Sequence, residues 1–149
     1  MEVNKVLWPT DFSSSAEKAL PYVTDLTQKY GAEIHVLYVI EDLAHHEGWY
    51  GEFDNTHMDK LMEWADKSAK KRLDQVCEKY LNSCPLYIKH IAVGDPAQEI
   101  LKLIDAEKVD LVVMASRGAQ GNFSFGSVTE KVLKHSPVPV TTIPVEPEE

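Results

Sequence analysis

The chain has 149 residues, of which 44% are hydrophobic and 26% charged, so it has the composition of one ordinary globular domain over residues 1–149. No apolar run approaches the roughly 18 residues that span a bilayer, and the opening MEVNKVLWPTDF lacks the layout of a signal peptide, so we expect a cytoplasmic location and no membrane partner. A net charge of −9 argues against a nucleic-acid partner, because phosphate neutralisation needs clustered Lys and Arg, but it leaves room for a small nucleotide held by backbone N–H groups.

Short apolar runs alternate with helical patterns from the start of the chain. A strand is predicted at Val3–Trp8, followed by a helix at Ser14–Tyr30. The helix starts with an S-x-x-E capping box at Ser14 and ends at Gly31. Ile34–Ile40 is a nearly continuous apolar run, which is typical of a strand covered on both faces.

The middle of the chain is predicted to contain a loop, a long helix and a strand. The segment His45–His57 is rich in polar and aromatic residues. Its histidines and carboxylates could bind a divalent metal ion. Because it contains no pair of histidines at helical spacing, a solvated loop is the favoured interpretation. The helix covers His57–Leu81, with an apolar stripe that includes Leu61 and Leu73. Leu86–Val93 mixes polar and apolar residues and therefore suits an edge strand.

The last third of the chain is predicted as helix, strand, helix and strand. Asp95–Glu107 starts with a capping Asp and a Pro in the first turn. Leu111–Ala115 reads as a buried strand, and Ser127–His135 as a short helix that opens with another S-x-x-E. Val138–Ile143 is a strand flanked by prolines, which places it at an edge. Its outer main-chain groups need partners, so we expect a homodimer through this strand.

This alternation of strands and helices indicates an α/β fold, an open parallel sheet with helices on both faces. Ligands of such sheets bind beyond the carboxyl ends of the strands, where the strand order reverses. Two loops at such ends are unusual in composition: PTDF, which starts at Pro9, and ASRGAQGNFSFGS, which runs from Ala115 to Ser127. If the first and fourth strands are neighbours, both loops face one crevice.

The second loop has the composition of a phosphate-binding segment. Gly118, Gly121 and Gly126 let the backbone approach a ligand, and the following helix turns its positive end to the same point. Ser127 adds a hydroxyl donor and Arg117 a positive charge. The alternative is a glycine-rich connection in which Ser127 only caps its helix.

Motifs of catalytic phosphate chemistry are not met. Gly121 and Gly126 have the Walker spacing, but Ser127 stands where the lysine is required. No glycine follows the first strand, as a dinucleotide fingerprint requires, and a kinase loop fails at Phe123. The sequence also contains no G-x-S-x-G elbow and no metal-spaced cysteines, so we predict no catalytic and no metal-binding residue.

Five stretches of the chain together resemble the universal stress protein (UspA-like) family. They are KVLWPTDFSSSAEKAL, HVLYVIE, VGDPAQEIL, DLVVMASRG and GSVTEKVLKHSPVPVTTIP, and they cover nearly the whole sequence. The resemblance implies a five-stranded parallel sheet in the order 3-2-1-4-5, a Rossmann-like fold similar to adenine nucleotide alpha hydrolases, and usually a homodimer. In many members ATP lies where strands one and four diverge.

The family's ATP motif can be carried over with two departures. Its first glycine falls on Ala115, and the gap between Gly118 and Gly126 holds seven residues instead of nine. Thr10, Asp11 and Val39 are implied to hold the adenosine end. The candidate nucleotide-binding residues are Pro9, Thr10, Asp11, Val39, Ala115, Arg117, Gly118, Gly121, Gly126, Ser127, Val128 and Thr129.

The function expected from this resemblance is that of a cytosolic universal stress protein that binds ATP and acts as a sensor or regulator of the stress response. We expect no fast enzyme and at most a slow ATPase, because no general base is evident at the phosphates. Mg²⁺ is expected to arrive with the nucleotide, and neither flavin nor haem is expected. The alternative function is that of a dimeric interaction module of the same family that does not bind nucleotide.

Overall fold

The computed structural model describes residues 2–41, 55–80, 87–116 and 124–144, and the strands in them form one sheet. The strands are β1 (Lys5–Pro9), β2 (Glu33–Ile40), β3 (Tyr87–Val93), β4 (Leu111–Ala115) and β5 (Val140–Ile143). Neighbouring strands are parallel, and their order is β3-β2-β1-β4-β5. The order implied by the family resemblance is confirmed, and both strands predicted at edges lie there.

The helices of the described residues are α1 (Ser14–Glu17), α2 (Leu20–Tyr30), α3 (Asn55–Tyr80), α4 (Pro96–Glu107) and α5 (Ser124–His135). The start of α4 is confirmed, since the carboxylate of Asp95 accepts a hydrogen bond from the N–H of Gln98 at 3.0 Å. None of these helices combines the length and the apolar character that crossing a membrane requires.

The prediction of one helix over Ser14–Tyr30 is wrong, because two helices separated by Lys18 and Ala19 take its place. Pro21 lies in the first turn of α2, and without an N–H it cannot donate the hydrogen bond that would continue α1. The end of the second helix is confirmed. Gly31 follows it with a φ of 66°, a left-handed conformation that glycine adopts without a steric penalty.

Of the two helices predicted to start at an S-x-x-E pattern, α1 begins at Ser14 as predicted, whereas α5 begins earlier than predicted. At α1 the capping residue is Ser13 and not Ser14, since the extended Ser13 accepts a hydrogen bond from the N–H of Ala16 at 3.1 Å. α5 begins at Ser124, three residues before the predicted start, so Ser127 lies inside the helix and does not cap it. The same four letters fit a cap and the interior of a first turn, and the pattern alone therefore does not fix the start.

The sheet separates two apolar clusters, and successive side chains of β1 alternate between them. Val6 and Trp8 belong to the cluster under α1, α2 and α3, whereas Leu7 belongs to the cluster under α4 and α5. Helix residues of the first cluster are Ala16, Leu20, Val23, Leu73, Val76 and Cys77, and those of the second are Ala97, Ile100, Ile104, Val128 and Val132. Helices therefore cover both faces of the sheet, as predicted.

Only the C-terminal half of α3 is buried against the described part of the protein. Leu73 and Cys77 are fully buried, whereas Leu61 is 45% and Trp64 70% exposed. The 26 residues of α3 measure about 39 Å, but the 8 residues of β2, the longest strand among the described residues, measure only about 26 Å. The predicted apolar stripe therefore contacts the core at Leu73 and not at Leu61, because the helix is longer than the sheet.

A chain of polar side chains links β2 to the edge strand β3. His35 is fully buried; its Nε2 lies 2.7 Å from Glu33 Oε1, and its Nδ1 lies 2.8 Å from His90 Nε2. Burial is the main cause that lowers the pKa of His90, the neighbouring His35 lowers it further, and Glu107 opposes the shift. The sheet edge at β3 therefore contains a histidine whose protonation is disfavoured by the fold.

Candidate nucleotide-binding crevice

The sheet splits between β1 and β4 at its carboxyl end. These two strands pair only as far as Leu7↔Val112, whereas β1 continues along β2 to Pro9↔Leu37 and β4 continues along β5 to Ala115. Strand order reverses at this split, and ligands of open α/β sheets bind at such a switch point. The split is therefore the candidate site, as predicted from the positions of the two loops.

Residues Trp8–Ser13, which we name the β1 wall, form one side of the crevice. Thr10 is 3% exposed, and its N–H donates to a main-chain carbonyl of β2 at 2.9 Å. The side chain of Thr10 accepts from the N–H of Phe12 at 3.0 Å, and Asp11 Oδ1 accepts from the N–H of Ser13 at 2.9 Å. Thr10 and Asp11, both predicted site residues, thus belong to a turn closed by their own side chains.

The base of the β1 wall is tied to the core. Trp8 is fully buried, and its Nε1–H donates to the carbonyl of Ala16 at 3.1 Å, which joins the wall to α1. Pro9, another predicted site residue, is buried and is the last residue of β1, one residue later than predicted. A proline is tolerated at this position because β1 has already separated from β4 there.

Phe12 is held in a stack that the sequence did not predict. The φ of Phe12 is 64°, and the centroid of its ring lies 4.5 Å from the ring centroid of Tyr38. Cζ of Arg72, a residue of α3, lies 4.4 Å from the same Phe12 centroid. Burial is the main cause that raises the pKa of Tyr38; Arg72 lowers it, whereas Asp11 and Glu41 raise it. No sequence spacing relates these residues, and the only available signal was that Arg72 is one of two arginines.

Ala115, Ser116 and residues 124–129, which we name the β4 wall, form the other side. Ala115 is 1% exposed, and its carbonyl accepts from the hydroxyl of Thr129 at 3.1 Å; Thr129 itself is 4% exposed. The N–H of Ser116 donates to the carbonyl of Ile143 at 2.9 Å. Two predicted site residues, Ala115 and Thr129, are thereby brought into contact, and the bond joins α5 to the end of β4.

The first turn of α5 presents backbone N–H groups that have no acceptor within the helix at the carboxyl end of the sheet. The N–H groups of Ser124, Phe125 and Gly126 have no partner four residues earlier within the helix, because the helix starts at Ser124. The positive end of the helix dipole lies at the same place. Ser127 is exposed in the next position. The early start of α5 therefore moves Gly126 from a loop into the first turn of the helix.

The remaining predicted residues fall into two groups. Val39 lies on β2 and Val128 on α5, and both pack with the cluster under α4 and α5. Arg117, Gly118 and Gly121 lie outside the described residues, as does the predicted loop from residue 45 to residue 54. The described parts of the site are thus the β1 wall, the β4 wall and Val39.

The sequence model of the universal stress protein family matches residues 2–144 of the chain. The chain belongs to the universal stress protein family. Among its relatives, universal stress protein MJ0577 of Methanocaldococcus jannaschii is 33% identical over 156 residues, with 93% of each chain covered. Universal stress protein YxiE of Bacillus subtilis is 30% identical over 145 residues, which cover 94% of this chain and 98% of the relative.

Solved structures of the family share the fold. The structure of MJ0577 matches with a TM-score of 0.84 at 28% identity, over 99% of this chain and 100% of that one. A universal stress protein in complex with cAMP matches at 0.69 and 17% identity, over 96% and 98% of the two chains. One from Archaeoglobus fulgidus in complex with dAMP matches at 0.66 and 19%, over 96% and 99%. The predicted family and fold class are confirmed.

Proposed function

We propose that this member of the family binds an adenine nucleotide, ATP, in the crevice between β1 and β4, and acts in the cytoplasm as a sensor or regulator of the stress response. The observation that supports the proposal best is the split of the sheet after Leu7 and Val112, with Thr10 and Asp11 on one side and the first turn of α5 on the other. A nucleotide has two chemically different ends, and the crevice has two chemically different walls.

The β1 wall suits the adenosine end. Asp11 uses Oδ1 to accept from Ser13, and its second oxygen, Oδ2, is not used in that bond and can accept from an amino or hydroxyl group of a ligand. Val39, which is only partly buried, offers apolar surface for a base or a ribose, and we propose that Pro9 lines the same end of the crevice. The polar turn and its apolar neighbours resemble the few polar groups in a mostly apolar lining that small-molecule sites use.

The β4 wall suits the phosphate end. The first-turn N–H groups up to Gly126 and the hydroxyl of Ser127 are donors, and the helix dipole favours an anion there. We propose that Arg117, Gly118 and Gly121 complete this end. The relatives solved with cAMP and with dAMP support the proposal only in that, for those proteins, the same fold holds an adenine nucleotide.

The proposed protein binds its nucleotide without turning it over quickly. The phosphate end is built from backbone donors and Ser127, which stabilise charge but do not remove a proton from water. Mg²⁺ would be held mainly by the phosphates, as is usual for this ion. Phosphate release at the no-enzyme rate, under saturating ATP and Mg²⁺, is the expected result.

Isothermal calorimetry with ATP, ADP and AMP tests the proposal. We expect the wild-type protein to bind at least one of them, and Gly126→Val to lose that binding, because a branched side chain enters the first turn of α5. Leu133→Val is the matched control, since it places the same side chain on an exposed position of the same helix. A folded wild-type protein that binds none of the three at millimolar concentration would contradict the proposal and favour the interaction module.

The proposed homodimer pairs β5 with β5 of a second copy. The carbonyl of Pro139 accepts a hydrogen bond from the N–H of Val112, and the carbonyl of Ile143 accepts one from the N–H of Ser116. The main-chain groups of successive residues in a strand point in opposite directions. The N–H groups of Val140 and Thr142 therefore point to the outer edge of the sheet. Such an edge is a template for a further strand.

A proline at the outer edge tests this dimer. Thr142→Pro removes one outward donor without removing a hydrogen bond to β4, and we expect it to shift the mass in solution from two chains to one. Thr142→Val is the control, because it retains the N–H. A wild-type protein that is monomeric by light scattering at micromolar concentration would contradict the proposed dimer.

A further inference from the structure

Phe12 adopts a backbone conformation that is unfavourable for a bulky residue. Its φ of 64° lies in the left-handed region, where a Cβ atom crowds the neighbouring carbonyl. Among the described residues, the other non-glycine with a positive φ is Lys108, which ends α4 as a helix cap. Phe12 ends no helix; it lies between Asp11 and Ser13 in the β1 wall. Strain of this kind persists only where the surroundings enforce it.

The enforcing contacts come from two directions. Within the wall, Thr10 Oγ1 accepts from the N–H of Phe12, and Asp11 Oδ1 accepts from the N–H of Ser13. From outside, the ring of Phe12 contacts both the ring of Tyr38 of β2 and the guanidinium of Arg72 of α3. Three elements that are distant in the sequence thus meet at the one strained residue of the turn.

The electrostatics of the stack favour an arginine at this position. Asp11 and Glu41 raise the pKa of the Tyr38 phenol and Arg72 lowers it, so the guanidinium opposes the effect of two carboxylates on the same ring. A planar guanidinium also stacks on an aromatic face better than an ammonium group does. Arg72 can therefore hold the ring of Phe12 and balance the local negative charge at once.

We propose that Arg72 is a positioning residue of the nucleotide site: by holding Phe12 against Tyr38, it fixes the strained turn in which Thr10 and Asp11 face the crevice. This inference rests on the proposed function, because the turn has a ligand to meet only if the crevice binds one. Arg72 acts on Thr10 and Asp11 through the ring of Phe12.

The first test needs no nucleotide. Hydrogen exchange of the Phe12 and Ser13 amides reports whether the turn is closed, and we expect both amides to exchange several-fold faster in Arg72→Met. Lys71→Met is the matched control, because it removes one exposed positive charge from the neighbouring position of α3. Equal exchange in the two variants would overturn the role of Arg72, whatever the nucleotide result.

The second test measures affinity for ATP by calorimetry at a temperature where all variants are folded. We expect Arg72→Met to bind about two- to fivefold more weakly than Lys71→Met, which is the loss that one exposed cation–π contact implies. Arg72→Lys should recover part of the difference. Equal affinities of Arg72→Met and Lys71→Met would contradict the proposal. Absence of binding by the wild-type protein would instead contradict the proposed function, and the exchange experiment would still decide the role of Arg72.

The third test separates the ring from the backbone. Asn tolerates the left-handed region better than Ala does, so Phe12→Asn retains access to the conformation of the turn without the ring. We expect Phe12→Asn to keep slower exchange at the Ser13 amide than Phe12→Ala. The opposite order would mean that the left-handed conformation of residue 12 does not close the turn, and it would overturn the proposal.

Discussion

The two walls of the crevice are held in different ways. The side-chain bonds inside the turn of the β1 wall join residues two positions apart, as between Asp11 and Ser13, and the wall is anchored to β2 through Thr10 and to α1 through Trp8. The β4 wall instead depends on Thr129, fourteen residues beyond Ala115, and on Ile143 of another strand. The inner bonds of the β1 wall are therefore local, whereas those of the β4 wall join distant segments. The β4 wall exists only while α5 is docked, so it is the wall that opens when local stability falls.

The largest expected effect comes from Trp8, on which the β1 wall rests. Trp8→Ala should lower the free energy of unfolding by about 3–5 kcal/mol, because it removes a fully buried indole from the larger apolar cluster. Trp8→Phe keeps most of the buried area and loses only the hydrogen bond to Ala16. Urea denaturation measures both. A loss of less than about 1 kcal/mol in the alanine variant would mean that the wall does not depend on the core.

The β4 wall should be most sensitive at Thr129. Thr129→Val keeps the shape of the side chain but leaves the buried carbonyl of Ala115 without this donor, at a cost of about 1–3 kcal/mol in the free energy of unfolding. Amide exchange in the first turns of α5 should rise at the same time, because the helix loses its bond to β4. Thr129→Ser retains the hydroxyl and is the control. If amide exchange in α5 were unchanged in Thr129→Val, the β4 wall would not depend on this hydrogen bond, and the proposed difference between the two walls would be contradicted.

A smaller effect is expected at Ser13, where the β1 wall passes into α1. Ser13→Ala removes the cap of a four-residue helix and should cost about 1 kcal/mol by thermal or chemical unfolding. If this wall is locally held, exchange should rise in α1 and not in α5. Faster exchange in α5 would show that the two walls are coupled, contrary to the comparison.

The smallest effect lies outside both walls, at His90. Its pKa is lowered in the folded protein, so below about pH 6.5, the ordinary histidine value, the unfolded chain binds the proton more readily and stability falls with acidification. His90→Gln should flatten this dependence in denaturation experiments between about pH 5 and 8. Because His90 lies on β3, amide exchange in the two walls should not change with it. An unaltered pH profile in the glutamine variant would exclude His90 as the source.

The sequence predicts the sheet well and the crevice only in part. Apolar runs and turn residues locate all five strands to within about two residues, because burial on both faces of a parallel sheet leaves a strong local pattern. Helix caps and starts are less certain, as the cap at Ser13 and the start at Ser124 show, because a capping pattern is compatible with neighbouring registers. The order of the strands came from resemblance and not from periodicity.

Contacts between distant residues could not be predicted. Nothing in the local sequence relates Phe12 to Tyr38 and Arg72, since their meeting depends on how α3 lies across the sheet. No sequence pattern predicts the hydrogen bond between Thr129 and Ala115, although both residues were selected as candidate nucleotide-binding residues for another reason. Local chemistry therefore led to the two loops that flank the split of the sheet, whereas the contacts that tertiary packing determines were missed.

The full burial of Trp8 also gives the protein an optical reporter. Trp8 lies beside the crevice in an apolar environment, whereas Trp64 is 70% exposed on α3. A soluble quencher should thus extinguish the emission of Trp64 before that of Trp8. The chain has a third tryptophan, Trp49, so with Trp49 and Trp64 both replaced by Phe, changes in the remaining emission of Trp8 would follow events at the β1 wall without any attached dye.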